Sequence, residues 1–214
     1  MASQVAPELI VTDDIAGSAA QRFIALRPGT VALAGGSTPR PLYERLATCS
    51  FPWTEIELFF SDERCVPPDH DASNYRMARE ALLSKVPASV HRMLGETCDA
   101  GAYEEELSKV FGLGLPQLDL VLLGLGEDGH TASLFPGDPA LDVTDRWVVR
   151  VERPDYSRLT LTLPVLSAAK AVVFLVSGAS KRAALQQLLS GADIPAARVR
   201  ARDQLIIADE AAAR

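Results

Sequence analysis

His130 lies two residues after Asp128, and close before it the apolar run Leu120–Leu123 breaks into glycines, giving LVLLGLGEDGHTASLFP over residues 120–136. Free imidazole titrates near pH 6.5, so a histidine with a carboxylate and the two hydroxyls of Thr131 and Ser133 close by is suited to moving a proton. A run of Leu and Val that ends in glycines is how a buried parallel strand reaches the end of its sheet. Ligands of open α/β sheets gather beyond those carboxyl ends. That address makes His130 a candidate for chemistry. His70, between Asp69 and Asp71 in a proline-bearing polar stretch, reads instead as a solvated loop residue.

Three further strand ends carry unusual residues. Gly35, Gly36, Ser37, Thr38 and Pro39 follow an apolar run. Paired glycines let successive N–H groups face an anion while the two hydroxyls add donors, which makes a phosphate cradle. The same residues also suit a tight turn with a hydroxyl cap and a proline in the first helical turn, which needs no ligand. Asp62, Glu63 and Arg64 end another strand. They read either as a solvated loop or as a place where Arg64 offers a planar, permanently charged fork to a phosphate or an oxyanion. Ser177-Gly178-Ala179-Ser180-Lys181 ends a third, with Lys181 in a first helical turn whose dipole disfavours a cation unless an anion binds there. Gly124 to Gly129 fits GxGxxG, but Glu127 and Asp128 stand where a pyrophosphate needs positive potential, and Pro136 follows too soon for the expected helix.

The elements that must position these residues alternate along the chain. Strands are expected at Leu9–Val11, Val31–Ala34, Ile56–Phe60, Leu118–Leu123, Ala171–Val176 and Leu205–Ala208, with extended segments at Trp147–Val151 and Leu159–Leu163. Thr12 or Asp13 can cap a helix that buries Ile15, Ala19, Phe23 and Leu26, and Ser73 or Asn74 one that runs to about Leu83. Helices are also expected over Tyr103–Val110 and over Ser180–Leu189, the latter burying Ala183, Ala184, Leu188 and Leu189. Leu42, Tyr43, Leu46 and Ala47 form the buried face of another. Strands that alternate with crossover helices imply an α/β fold: a Rossmann-like, open, mostly parallel sheet with helices on both faces.

With 214 residues and no linker or repeat, one domain over 1–214 is expected. A net charge of -7 argues against nucleic-acid binding, and an anionic ligand would need a local cationic pocket. Cys49, Cys65 and Cys98 form no CxxC pair and are odd in number, so neither a disulfide framework nor a zinc site is expected and the compartment reads as reducing. The amino terminus lacks a basic segment followed by an apolar one, and no run is long enough to cross a bilayer. A cytoplasmic protein without membrane contact is expected; no oligomeric state is read from the sequence.

GGSTP at 35–39, SDER with VPPDHDASNY at 61–75, GLGEDGHTASLFPG at 124–137, RLTLTLPVL at 158–166 and FLVSGASKRAAL at 174–185 resemble, in order, the motifs of the 6-phosphogluconolactonase family. That family is related to glucosamine-6-phosphate deaminases and has a sheet of the kind seen in ribose-5-phosphate isomerase. Arg64, where the deaminases carry Tyr, and SLFPG after DGHTA favour the lactonases. The resemblance implies hydrolysis of a phosphorylated sugar lactone, 6-phospho-D-glucono-1,5-lactone, to 6-phosphogluconate, the second step of the oxidative pentose phosphate pathway. Such hydrolysis needs a base for water, a stabilised oxyanion and a proton for the leaving oxygen. His130 fits the first and last, oriented by Asp128 or Glu127, and Arg64 is the candidate for oxyanion or phosphate. Gly35, Gly36, Ser37 and Thr38 would hold the phosphate, with Lys181 and Arg158 closing on it and Asp62 also binding the substrate. A lactone is an activated ester, so no cofactor and no metal are expected. A sugar-phosphate deaminase or isomerase, or a non-catalytic sugar-phosphate sensor, are the alternatives.

Overall fold

The structure, a computed structural model, describes residues 7–214; the part of the leader reading that concerns residues 1–6 lies outside them. Strands β1 (Glu8–Val11), β2 (Thr30–Leu33), β3 (Glu57–Phe60), β4 (Asp62–Arg64), β5 (Ser89–Val90), β6 (Leu120–Gly124), β7 (Val148–Val151), β8 (Arg158–Leu161), β9 (Ala171–Val176) and β10 (Asp203–Ala208) alternate with helices. These are α1 (Ile15–Leu26), α2 (Arg40–Leu46), α3 (Asn74–Ala78), α4 (Ala100–Phe111), α5 (Leu163–Ala168), α6 (Arg182–Ser190), α7 (Pro195–Arg198) and α8 (Glu210–Ala213).

Seven strands form one parallel sheet in the order β1-β10-β9-β6-β2-β3-β5. The chain moves outward from β2 through β3 to β5, then crosses back to place β6 on the other side of β2. The strand order therefore reverses between β2 and β6, the point at which open sheets bind ligands. These central strands are buried on both faces: Val121, Leu123, Val172 and Phe174 are fully covered. Each such side chain contributes about 1.5–3 kcal/mol of transfer free energy. The continuous apolar runs are thus the sequence form of a sheet with helices on both sides.

A second, antiparallel sheet, β4-β8-β7, stands apart from the first. It pairs Asp62 with Thr160, Glu63 with Leu159 and Arg64 with Arg158. The reading of Asp62, Glu63 and Arg64 as a solvated loop is corrected: they form β4, with Asp62 and Glu63 buried. Burial pushes the Glu63 carboxyl above the usual range, against the backbone N–H groups of Tyr75, Asn74 and Arg64 that bond to it, and the neighbouring Asp62 charge adds to the rise. This side chain, with Ser73 Oγ as a fourth donor, ties β4 to the start of α3.

Other boundaries also shift. Asp14, and neither Thr12 nor Asp13, caps α1, because its carboxylate accepts the Gly17 N–H at 2.9 Å while Thr12 Oγ1 accepts the Asp14 N–H. The helix after Ser73 is α-helical only to Ala78 and winds as a π-helix over Arg79–Leu83. Ser180–Leu189 begins with a 3-10 turn, Ala179–Lys181, and α6 buries Ala184, Leu185 and Leu188, leaving Ala183 and Leu189 exposed. Cys65 and Cys98 are joined by a disulfide, with Cα atoms 5.1 Å apart. The expectation of no disulfide framework misses this bond because residues 33 apart in sequence are brought together by the packing of the 94–98 loop on the end of β4.

Candidate active site

The carboxyl ends of β2, β6 and β9 and the edge of the small sheet enclose a cleft of about 240 Å³. Gly35, Gly36, Ser37, Thr38, Asp62, Arg64, His130, Arg158 and Lys181 all line it. Asp128 stands behind the cleft wall and reaches it through His130.

The histidine turn is closed by its own backbone. The Gly126 N–H donates to the His130 carbonyl at 2.8 Å, the Gly129 N–H to the Gly126 carbonyl at 3.0 Å, and Thr131 Oγ1 to the Gly124 carbonyl at 2.8 Å. Inside this loop Asp128 Oδ1 lies 2.6 Å from His130 Nδ1 and accepts the His130 backbone N–H at 3.1 Å. Burial pushes the Asp128 carboxyl up, but these two hydrogen bonds with His130 outweigh it and hold it below the usual range. An ionised carboxylate can only accept, so Nδ1–H donates to Asp128 and Nε2 is left as the basic nitrogen. Asp128, rather than Glu127, is therefore the residue that orients the ring. The Phe135 ring packs against the imidazole, with centroids 4.5 Å apart and planes tilted by 37°. Gly126 has no room for a side chain: a Cβ there would stand 2.0 Å from His130 Nδ1. Ala132, in the same turn, holds a φ of +48°, a strained value for a residue with a side chain.

The loop Gly35–Thr38 is not a capped turn. The N-cap position of α2 is Pro39, with no side-chain cap, and among the described residues the hydroxyls of Ser37 and Thr38 have no hydrogen-bond partner. Gly36 has a φ of +95°, which glycine alone adopts without strain. Gly35 is fixed by a close approach, since a Cβ would meet Asn74 Oδ1 at 1.9 Å. Asn74, which sequence reasoning treated only as a helix cap, is 1% exposed and wedges between this loop and β4, donating to the Asp62 carbonyl at 2.9 Å and to its carboxylate at 3.2 Å. Asp62 also accepts from Ser133 Oγ at 2.6 Å, so it braces the histidine turn against β4 before any ligand arrives.

Three cations face the cleft. Arg64 and Arg158 are direct partners in the antiparallel register, a like-charge opposition that is destabilising unless an anion lies between. Arg64 gives one N–H to the Ala72 carbonyl at 2.9 Å, and Arg158 pairs with Asp155 at 2.6 Å, while Nε of each is buried without a partner. Lys181 makes no ion pair or side-chain hydrogen bond among the described residues. It is aimed by a turn that Asp209 organises, accepting from Ser177 Oγ at 2.6 Å and from the Gly178 N–H at 2.9 Å. Asp209 also follows a strand end, the signal that led to the other site residues. Among the described residues no cluster of three or more His, Cys, Asp or Glu side chains is assembled as for a metal, and no helix is long and apolar enough to cross a membrane.

A cleft with an Asp-oriented imidazole, unpartnered hydroxyls and three cations can bind a phosphorylated ligand and deprotonate water beside it. Comparison with known proteins places the chain among those of one family. A 6-phosphogluconolactonase of Synechocystis is 48% identical over 172 residues, which span 76% of this chain and 72% of that protein. The structure of 6-phosphogluconolactonase from Trypanosoma cruzi superposes with a TM-score of 0.89 at 30% identity, covering 99% of this chain and 98% of that one. A monomeric glucosamine-6-phosphate deaminase shares the fold, with a TM-score of 0.81 at 22% identity over 98% of this chain and 99% of its own. The family model described as glucosamine-6-phosphate isomerases/6-phosphogluconolactonase matches residues 8–207, and the chain belongs to that family.

Proposed function

We propose that this protein hydrolyses 6-phospho-D-glucono-1,5-lactone to 6-phospho-D-gluconate, the second step of the oxidative pentose phosphate pathway, with His130 as general base. The observation that carries the reading is the Asp128–His130 pair in a cleft whose opposite walls present Arg64, Arg158 and Lys181. In this scheme a water loses a proton to Nε2 of His130 as its oxygen attacks the lactone carbonyl. Arg64 meets the oxyanion. The bond from the carbonyl carbon to the ring oxygen then breaks, and the imidazolium returns its proton to that oxygen, which leaves as a hydroxyl. Base and acid are one residue.

The phosphate is held by the loop of Gly35, Gly36, Ser37 and Thr38, with Lys181 and Arg158 closing on it and Asn74 and Asp62 keeping loop and wall in register. Relatives named 6-phosphogluconolactonase support the substrate assignment. We also infer that residues 1–214 act as one domain, because β1 and β10, from the two ends of the chain, pair in the same sheet.

The test compares turnover of the phosphorylated and unphosphorylated lactones after subtraction of spontaneous hydrolysis. Binding energy from a remote phosphate positions the reacting centre, so the phosphorylated lactone should react far faster. Equal turnover of the two would refute the phosphate site. Ammonia release from an amino sugar phosphate, or aldose–ketose conversion, would assign the cleft to the other activity of the family.

A further inference from the structure

We propose that Cys65 and Cys98 form a site of reversible thiol–disulfide exchange with a dithiol reductant, and that the bond between them keeps Arg64 in the cleft. Cys65 follows Arg64 directly at the end of β4, and its N–H makes the last hydrogen bond to the β8 side, to the Ser157 carbonyl at 2.8 Å. Arg64 and Arg158 are cross-strand partners in that register, a like-charge pairing that weakens the end of the β4–β8 ladder even with Asp155 beside Arg158. A covalent tie one residue further on opposes that weakening.

The segment at the other end of the tie carries a strained residue and packs against the end of β4. Cys98 holds a φ of +51°, a left-handed conformation that a residue with a side chain rarely adopts. Gly95, in the same loop, presses on the end of β4, where a Cβ would stand 2.3 Å from the Arg64 carbonyl oxygen and 2.8 Å from that of Val66. Neither cysteine is fully buried. Breaking the bond leaves Cys98 free to relax and removes the anchor behind Arg64.

The exchange balances as an ordinary two-electron step. One thiolate of the reductant attacks a Cys sulfur, forming a mixed disulfide and expelling the other cysteine as a thiolate, which takes a proton. The reductant's second thiolate then displaces the remaining cysteine. The protein gains two electrons and two protons, and the reductant leaves as its disulfide.

The activity arm of the test rests on the lactonase reading; the exchange arm does not. Air-oxidised protein treated with a thiol-reactive probe under denaturing conditions should carry one adduct, on Cys49, and three after dithiothreitol. Reduction should lower kcat with the phosphorylated lactone by about tenfold or more, since displacements near 1 Å cost up to about 10²-fold, and re-oxidation should restore it. Cys49→Ser should respond as the wild type, and C65A/C98A should sit at the reduced rate in either condition. Far-UV circular dichroism checks that the reduced protein is folded. Hydrogen exchange should accelerate over residues 62–66 and 94–98 on reduction while β6 stays protected. Three adducts on oxidised protein, equal kcat in both thiol states of an active enzyme, or unchanged exchange at those residues would each overturn the proposal. Absence of hydrolysis in both states would refute the lactonase reading, and the exchange measurement would still decide whether the bond holds β4.

Discussion

Replacing Gly126 with alanine puts a methyl group 2.0 Å from His130 Nδ1, 2.3 Å from its Cε1 and 2.7 Å from Asp128 Oδ1. Gly126 is not in the left-handed region, so its backbone accepts alanine and the conflict falls on the imidazole. The ring must retreat by about 1.4 Å to reach an ordinary contact of 3.4 Å. Misplacement of a reacting group by about 1 Å costs up to about 10²-fold in rate, or about 2.7 kcal/mol in the barrier. Gly126→Ala should therefore lower kcat by about 100-fold and leave KM within about threefold, because none of the residues proposed to hold the phosphate is touched. Steady-state kinetics with the phosphorylated lactone measure both constants. The double variant G126A/H130A should be no slower than H130A alone, since both changes act on one group. A single variant within threefold of wild type, or a double variant whose losses multiply, would refute the steric argument.

Arg64→Lys keeps the charge but loses the planar fork, so it should lower kcat, whereas Lys181→Ala should chiefly raise KM; a pure KM effect for Arg64→Lys would move that residue to the phosphate. Removal of the Cys65–Cys98 bond frees a loop closed across 33 residues, worth about 3.7 kcal/mol by chain entropy, and should lower Tm by about 7–15 °C in a scanning experiment. Burial raises the Asp119 carboxyl, but Lys170 and the N–H groups of Gly29 and Thr30 outweigh it and hold it below the usual range. Its stabilisation is thus present above about pH 4 and lost as the pH falls through the lowered value, so the Tm gap between wild type and Asp119→Asn should close on acidification.

The central strands are legible because a strand buried on both faces must be a continuous apolar run, and glycine turns at strand ends are local signals. Gly35, His130 and Lys181 converge for that reason: each follows a strand of the same sheet, while Arg64 ends a strand of the small sheet beside it. What escapes the sequence is non-local. The β4-β8 pairing joins residues about a hundred apart, and only that register shows that Asp62 and Glu63 are buried and that Arg64 opposes Arg158. The Cys65–Cys98 bond depends on a loop whose approach is set by Gly95. The sequence could not choose between Asp128 and Glu127, because neighbouring side chains point apart, and geometry alone selects Asp128. Asn74 looks like a cap, yet Ser73 is the cap and Asn74 the wedge against Gly35.

The role of His130 is tested most directly by the turnover of 6-phospho-D-glucono-1,5-lactone by His130→Ala, with spontaneous hydrolysis subtracted and folding checked by circular dichroism. General-base catalysis contributes about 10²–10⁴-fold, so the variant should lose at least about 100-fold in kcat while it still binds 6-phosphogluconate. A folded variant within threefold of wild type, about 0.7 kcal/mol in the barrier, would contradict the assignment of His130 as the base.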